Sequence, residues 1–470
     1  MKYAVRLMAA VLSWILLLNL VSCAEPDKES PTQPTQPTQP VLSAAEIYDT
    51  AKAALLAAPN RVASYTMTKV RTVAGQAYTE SAAGTASFSD YGKDTMVAIV
   101  DEDIRYGTVK AEHLLSFCNG RAYSRISGST FGTDITASEF VSRQLPGALL
   151  TSSLYESVTR STNSDGAVIT FSQPKALEDW VDTPDGTALV SASGTATFDT
   201  TGALVQTTYT AEYTCANVIF SLTATVRCTT PSQLELSALH PEHPEDYATL
   251  ACLDAPKLLL RAAGDIFTAK VISASAEENI HSQIISVTRH KKSQIEISGV
   301  SEGLSARLTN TVSIKDYRDQ PTTTTQEYLF SSGTCFLRAD DGEPKAQPGI
   351  TAETMRTSIE DALLSALFAT RYLDGAAILT DEGGVYRLDL VGNEAYCSDL
   401  TQALSAFLNL PMDGVTSHHS TQAGGYLCLD PVTGLPVSMG MYFTRTHMFG
   451  DIPYLMSYQL DQVMALSPAE

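Results

Sequence analysis

No apolar run after the first 22 residues of this 470-residue chain approaches 18 residues, so nothing beyond its beginning reads as a bilayer-crossing helix. Basic residues are scarce, with 31 Lys and Arg against 52 Asp and Glu and a formal net charge of −21. The densest basic group is Arg289-His290-Lys291-Lys292. A chain of that sign repels phosphate backbones, which excludes nucleic acid as a partner. There is no CxxC pair, and the seven cysteines after Cys23 are odd in number and irregular in spacing. Cys215 and Cys228 flank a hairpin turning near Ala216-Asn217, which sets one at the turn and the other far up the partner strand. A disulfide framework is therefore not expected, and the cysteines read as small buried apolar side chains. GxSxG, HExxH, P-loop and dinucleotide-binding patterns are all missing from a suitable context. The expectation is a non-enzymatic protein with no cofactor and no metal.

Tryptophan is nearly absent as well, at two residues, and one of them, Trp14, falls in the stretch "VLSWILLLNLVSC". Lys2 and Arg6 precede a 14-residue apolar run from Met8 to Val21, shorter than the roughly 20 residues of a spanning helix and fitting a cleaved signal. Its end, Leu20-Val21-Ser22-Cys23, resembles the lipobox of bacterial lipoproteins. That resemblance implies diacylglycerol on the Cys23 sulfur and cleavage before it. Residues 1–22 are then a signal peptide, and 470 less 22 leaves a mature chain of 448 residues. Each acyl methylene buried adds about 0.8 kcal/mol, so two or three chains give lasting attachment. Three Pro-Thr-Gln triplets ending at Pro40 favour extended polyproline II geometry. Residues 23–40 thus read as a lipid-anchored stalk on the extracytoplasmic face of a cell membrane, in the outer leaflet of a single-membrane, Gram-positive-type bacterium.

The rest of the chain is long enough for two domains, and it echoes itself. "SFCNGRAYSRISG" (116–128) returns as "LFSSGTCFLRADDG" (329–342), and "PGALLTSSLYES" (146–157) as "EDALLSALFATR" (360–371). "GAVITFS" (166–172) returns as "GGVYRLDL" (383–390), and the segment 192–214 as 422–446. The offset drifts from 213 at Gly120/Gly333 to 217 at Gly166/Gly383 and 232 at Thr201/Thr433, with order kept. A diverged tandem duplication leaves that trace. The expected organisation is a first domain over 41–231, a connector over 232–254 and a second domain over 255–466.

Each half shows the same coarse elements. Ser43-Ala44-Ala45-Glu46 is a capping box opening a helix, and a second apolar helix opens near Lys257. Val218, Phe220, Leu222, Ala224 and Val226 alternate with Ile219, Ser221, Thr223 and Thr225, the period of a half-buried strand. Thr136-Ala137-Ser138-Glu139 caps a mid-domain helix, residues 351–373 carry a stripe of Met355, Ile359, Leu363 and Leu367, and a further helical face is read at 398–410. The fold class is α+β: two tandem domains, each an antiparallel β-sheet partly covered by helices, for which a resemblance to a known family implies a curved sheet, or half-barrel.

A Gly120-Arg121-Ala122-Tyr123 strand followed by a loop, a helix and a late hairpin resembles the LolA/LolB and LppX/LprG-like superfamily and the amino-terminal domain of RseB-like regulators. The hairpin turn reads Phe198-Asp199-Thr200-Thr201-Gly202 in one half and Leu429-Asp430-Pro431-Val432-Thr433-Gly434 in the other. The resemblance implies a half-barrel wrapped around a hydrophobic cavity lidded by helices. It departs from single-domain relatives by being doubled.

Other groups read as ordinary surface. His240-Pro-Glu-His243-Pro-Glu-Asp246 is a linker, and His418-His419 a solvated loop rather than a metal site. Asp101-Glu102-Asp103 and the Asp340, Asp341 and Glu343 group read as solvated turns, and Trp180 as a loop anchor or a cavity rim. Candidates to line an apolar site are Val218, Phe220, Leu222 and Val226 in the first half, and Leu363, Leu367, Tyr386, Leu388 and Leu390 in the second. The expected function is binding of a lipid or acyl chain on a concave sheet face. The alternative is a structural or sensory envelope module that meets a protein partner. The same residues would line a cavity or fill a core, and the sequence leaves both open. Cys23→Ala is expected to abolish lipidation and release the chain or hold it as precursor; membrane retention of that variant with an unmodified terminus would contradict the lipoprotein reading.

Overall fold

The computed structural model describes residues 42–144, 149–163, 166–236, 247–282, 287–299, 303–315, 320–363, 370, 373–380, 386–399, 401 and 415–467. Cys23, the signal and the stalk, Leu367, His240 to Asp246 and most of the helix expected at 398–410 lie outside the described residues.

The period-two patterns form strands throughout. The first sheet contains β1 (Arg61–Val73), β2 (Gln76–Ser89), β3 (Val97–Tyr106), β4 (Val109–Cys118), β5 (Arg121–Ile126) and β6 (Ser129–Asp134). It continues with β7 (Tyr155–Asn163), β8 (Gly166–Pro174), β9 (Ala188–Phe198), β10 (Leu204–Cys215), β11 (Val218–Thr229) and the short β12 (Ala248–Thr249). The second sheet contains β13 (Val271–Ser282), β14 (Val287–Ser298), β15 (Ser305–Lys315), β16 (Thr322–Ser331), β17 (Thr334–Ala339) and β18 (Lys345–Ala346). Its remaining strands are β19 (Leu373–Thr380), β20 (Tyr386–Gly392), β21 (Ser417–Leu429), β22 (Pro436–Phe449) and β23 (Ile452–Ser467). The fold is α+β, dominated by these two large curved antiparallel sheets.

The spatial order is β12-β6-β5-β4-β3-β2-β1-β11-β10-β9-β8-β7 in the first sheet and β18-β17-β16-β15-β14-β13-β23-β22-β21-β20-β19 in the second. Apart from β12, adding twelve to each label of the first sheet gives the second. In both, the last strand returns beside the first, β11 on β1 and β23 on β13. Helices fall at matching places: α1 (Ala44–Ala57) before β1, α2 (Ala137–Gln144) after β6, α3 (Ala255–Thr268) before β13 and α4 (Ala352–Leu363) after β18. Helical residues 394–399, between β20 and β21, have no described equivalent in the first half.

The late hairpin turns are built alike. Asp199 Oδ1 accepts from the Thr201 N–H and hydroxyl and the Ala203 N–H at 2.6–3.0 Å. Asp430 Oδ1 accepts from the Val432 and Thr433 N–H groups and the Thr433 hydroxyl at 2.6–3.1 Å. Gly202 and Gly434 sit at φ +85° and +66°, where a side chain would be strained. The expected capping box forms too, with the Thr136 N–H on Glu139 Oε2 and the Glu139 N–H on the Thr136 hydroxyl. His418-His419 departs from expectation: the pair lies within β21, opposite His447 and Thr446. The ladder to β22 reaches past the polar composition that suggested a loop. All seven described cysteines are free.

The inner faces of the two sheets join in one apolar cluster that runs from Tyr48 to Met464. Helix α3 lies at their junction, touching β2, β3 and β4 of the first sheet and β19 and β22 of the second. Its buried residues Ala255, Leu259, Ala262 and Ile266 fall at helical spacing. Gly264 lies so close to the Tyr106 carbonyl that a Cβ would collide with it, so glycine's helix cost of about 1 kcal/mol accompanies direct contact of helix and strand. The connector completes the seam: the Leu250 N–H donates to Gly132 of the first sheet, and the Ala251 and Cys252 N–H groups donate to Ala376 of the second.

One arginine ties three elements together. Arg71 on β1 donates through Nη2 to both carboxylate oxygens of Asp265 of α3 at 2.6 and 2.8 Å, and through Nη1 to the Thr433 carbonyl in the β21–β22 turn at 2.6 Å. Burial alone would lower the Arg71 pKa, yet the Asp265 carboxylate outweighs it and holds the guanidinium above its ordinary value. Arg71→Met is expected to cost about 3–5 kcal/mol, the price of stranding one buried charge. The double variant Arg71→Met/Asp265→Leu should recover most of that loss in denaturant titration; single and double variants of equal stability would show the pair to be unimportant.

Candidate functional site

The expected lining residues are enclosed. Val218, Phe220, Leu222 and Val226 are all buried on β11. They divide between two clusters, with Leu222 and Val226 in the shared core and Val218 and Phe220 in a satellite group with Tyr213 and Cys215. Phe220 stacks on Tyr213 with ring centroids 4.8 Å apart. In the second half, Leu363, Leu388 and Leu390 are buried in the shared core and Tyr386 is half-buried against it. Trp180 packs edge-on to Tyr209 at 5.0 Å, half-buried against the same core.

The inner face of the first sheet also carries a charged network that sequence reading missed. Glu102 is not in a solvated turn; it sits in mid-β3 at 7% exposure, opposite His113 of β4. Period two explains this, because Val100, Glu102, Ile104 and Tyr106 all point inward. The alternation "VAIVDEDIRY" placed Glu102 with the apolar set, and that parity was the available signal. His113 likewise shares a face with Leu115 and Phe117, and Arg71 with Tyr65 and Ala63.

Glu102 is the hub. Its Oε2 accepts from the Tyr65 hydroxyl at 2.6 Å, and its Oε1 from Lys257 of α3 at 2.6 Å and from His113 Nδ1 at 2.7 Å. A carboxylate can only accept, so the neutral imidazole carries its proton on Nδ1 and its Nε2 accepts the Ser124 hydroxyl at 3.0 Å. Serine, histidine and glutamate thus stand in the order of an acid–base relay. Ser124, however, is 2% exposed among core side chains, where a substrate has no approach. The arrangement fixes α3 to the first sheet, each charge-assisted bond contributing about 1.5–3 kcal/mol.

The second sheet's inner face carries methionines beside its own buried polar groups, Arg445 and His447 on β22 and Gln462 on β23. Met439, Met441 and Phe443 on β22 lie beside Met456, Tyr458 and Met464 on β23. Tyr396 and Cys397, from the helical residues 394–399, cover part of this face. The inner face of the first sheet is instead rich in alanine, including Ala63, Ala82, Ala86, Ala98, Ala196 and Ala224. Its small residues admit other parts of the chain, as where Gly194 leaves room for the Leu150 side chain. Thioethers are unbranched and adaptable, whereas small residues under a docked element leave no space.

No protein-family model and no curated protein matches the chain. Among solved structures, it is similar to LprF from Mycobacterium bovis at 10% identity, covering 47% of this chain and 96% of that one, with a TM-score of 0.27. A β-barrel-like protein of a domain of unknown function from Brucella abortus is 12% identical, covering 42% and 99%, with a TM-score of 0.16. Pseudomonas aeruginosa OccK2 is 8% identical over 87% of this chain and 99% of its own, with a TM-score of 0.11. These likenesses carry no functional argument.

Burial is the largest influence on His113 and lowers its pKa below the ordinary 6.5; Glu102 opposes this only in part, and Lys257 adds to it. Burial would raise Glu102, but His113 and Lys257 outweigh it and hold the carboxyl well below the usual 4.5. Both groups bind protons more weakly folded than unfolded, so each contributes stability that is lost as pH falls. His113 acts below about 6.5, and Glu102 only in more acid solution. The thermal midpoint is expected to drop between pH 7 and pH 5, with a smaller drop in His113→Gln; the same drop in both proteins would exclude this histidine as the cause.

Proposed function

We propose that the chain is a lipid-anchored, extracytoplasmic and non-enzymatic envelope protein, built as a duplicated half-barrel of the LppX/LprG-like kind, in which the second half takes up an apolar chain of an amphipathic ligand. The matching strand orders, helix positions and aspartate turns support duplication. The lipobox-like residues at Cys23 support the anchor. The observation that carries the ligand reading is the set of methionines on the inner face of β22 and β23, of which Met439 and Met464 join Leu388 and Leu390 in the shared core while Met441 and Met456 form a neighbouring cluster with Phe443 and Tyr396. Side chains of that kind part around an acyl chain without breaking a fixed packing. The first half supplies the rigid side, its inner face held by α3 through Arg71 and Glu102.

A second reading has its own support. The shared core and the interior helix α3 fill the space between the sheets, as in a structural or sensory module that acts through a protein partner on its outer faces.

The chain from residue 41 onward, which holds every described element, is expected to retain about one equivalent of lipid or fatty acid in native mass spectrometry after incubation with phospholipid vesicles. Met441→Trp should weaken its retention by stiffening the side chains that would have to part, while Phe220→Leu in the first half should leave it bound. A clean apo mass for the folded protein would overturn the ligand reading in favour of the partner-binding module.

A further inference from the structure

The outer face of the second sheet carries a feature that neither the anchor nor the apolar interior uses. A recess of about 490 Å³ opens across β13, β23, β22 and β21, within the roughly 300–1,000 Å³ of small-molecule sites. Register places its groups in rows. His281, Ser457, Thr444 and Gln422 are successive cross-strand partners. The next row along is Asn279, Gln459, Tyr442 and Gly424.

Two strand glycines lie under tyrosines beside the recess. Tyr426 lies across Gly440 on the neighbouring strand, where a Cβ would strike its ring, and a Cβ at Gly424 would crowd the Tyr442 hydroxyl. Covering a strand glycine with a cross-strand ring is also a device for holding register, which accounts for Tyr426. Tyr442 stands opposite Gly424 in the same way, yet it remains 37% exposed, with much of the side chain open to the recess. Tyr426 is held in one orientation, with the Arg387 guanidinium 4.5 Å from its ring centroid and its hydroxyl donating to Asp461 Oδ1 at 3.0 Å.

The rim charges are satisfied within the protein. Arg387 Nε donates to Asp389 at 2.8 Å, and Gln459 Nε2 donates to Asp461 Oδ2 at 2.7 Å. An anion entering the recess would meet the Asp461 and Asp389 carboxylates, and a cation would meet Arg387. A neutral ligand rich in hydroxyl groups meets neither penalty. It can place a C–H face on a tyrosine ring while amides and hydroxyls exchange hydrogen bonds with its rim.

We infer that this recess binds a neutral glycan chain, with Tyr442 as the stacking platform and Gln459, Gln422 and Asn279 as hydrogen-bonding groups. The matching strands of the first sheet carry no such platform. Their outer face presents a ladder of small hydroxyls, Ser193 on Thr210 and Thr195 on Thr208. The site is therefore specific to the second half.

The test is saturation-transfer NMR and calorimetry of the full chain, in a detergent without a sugar head group, against tetrasaccharides of glucose, mannose, galactose and N-acetylglucosamine. At least one is expected to bind with a millimolar or tighter dissociation constant. Tyr442→Ala should weaken it at least tenfold and Tyr442→Trp should restore it, with unchanged thermal midpoints. Ile219→Ala, on the outer face of the first sheet, should have no effect. Failure of all four sugars to bind the folded protein, or binding indifferent to both Tyr442→Ala and Gln459→Ala, would overturn the assignment.

Discussion

Charge buried between the sheets is the constraint on which the rest of this structure depends. Asp265 and Lys257 project from one helix and meet Arg71 and Glu102 on the inner face of the first sheet. A buried charge without its partner is far more costly than no charge at all, so α3 has few alternative positions. Because the helix begins the second half of the chain yet docks on the first, the two sheets share a core. Arg71 extends the constraint to the β21–β22 turn, and His113, Tyr65 and Ser124 orient the carboxylate that receives Lys257.

With α3 fixed, the two sheets carry different side chains on the same strand order. The strand orders match, and the late hairpins turn on the same aspartate-centred hydrogen bonds. The first half spends its small inner residues on close contact with other parts of the chain, as at Gly194 and Leu150. The second half keeps thioethers on its inner face and a recess with an exposed tyrosine on the outer one.

Much of the fold was legible because strands announce themselves by parity. The alternation from Val218 to Val226 identified β11 and its buried face, and the Thr136 capping box formed as read. Glu102 was misread because three adjacent acidic residues resemble a solvated turn; parity alone would have turned it inward. His418-His419 was misread because composition conceals a strand when the ladder partner lies twenty-odd residues away.

The sequence by itself determined which residues face inward along each strand, where the aspartate turns fall and that the halves echo one another, since these follow from side-chain period and local backbone chemistry. Tertiary structure alone decided that Lys257 meets Glu102, that Arg71 meets Asp265 and that Tyr426 covers Gly440. Each of these pairs joins separate elements, and a contact between elements leaves no periodic trace in either one.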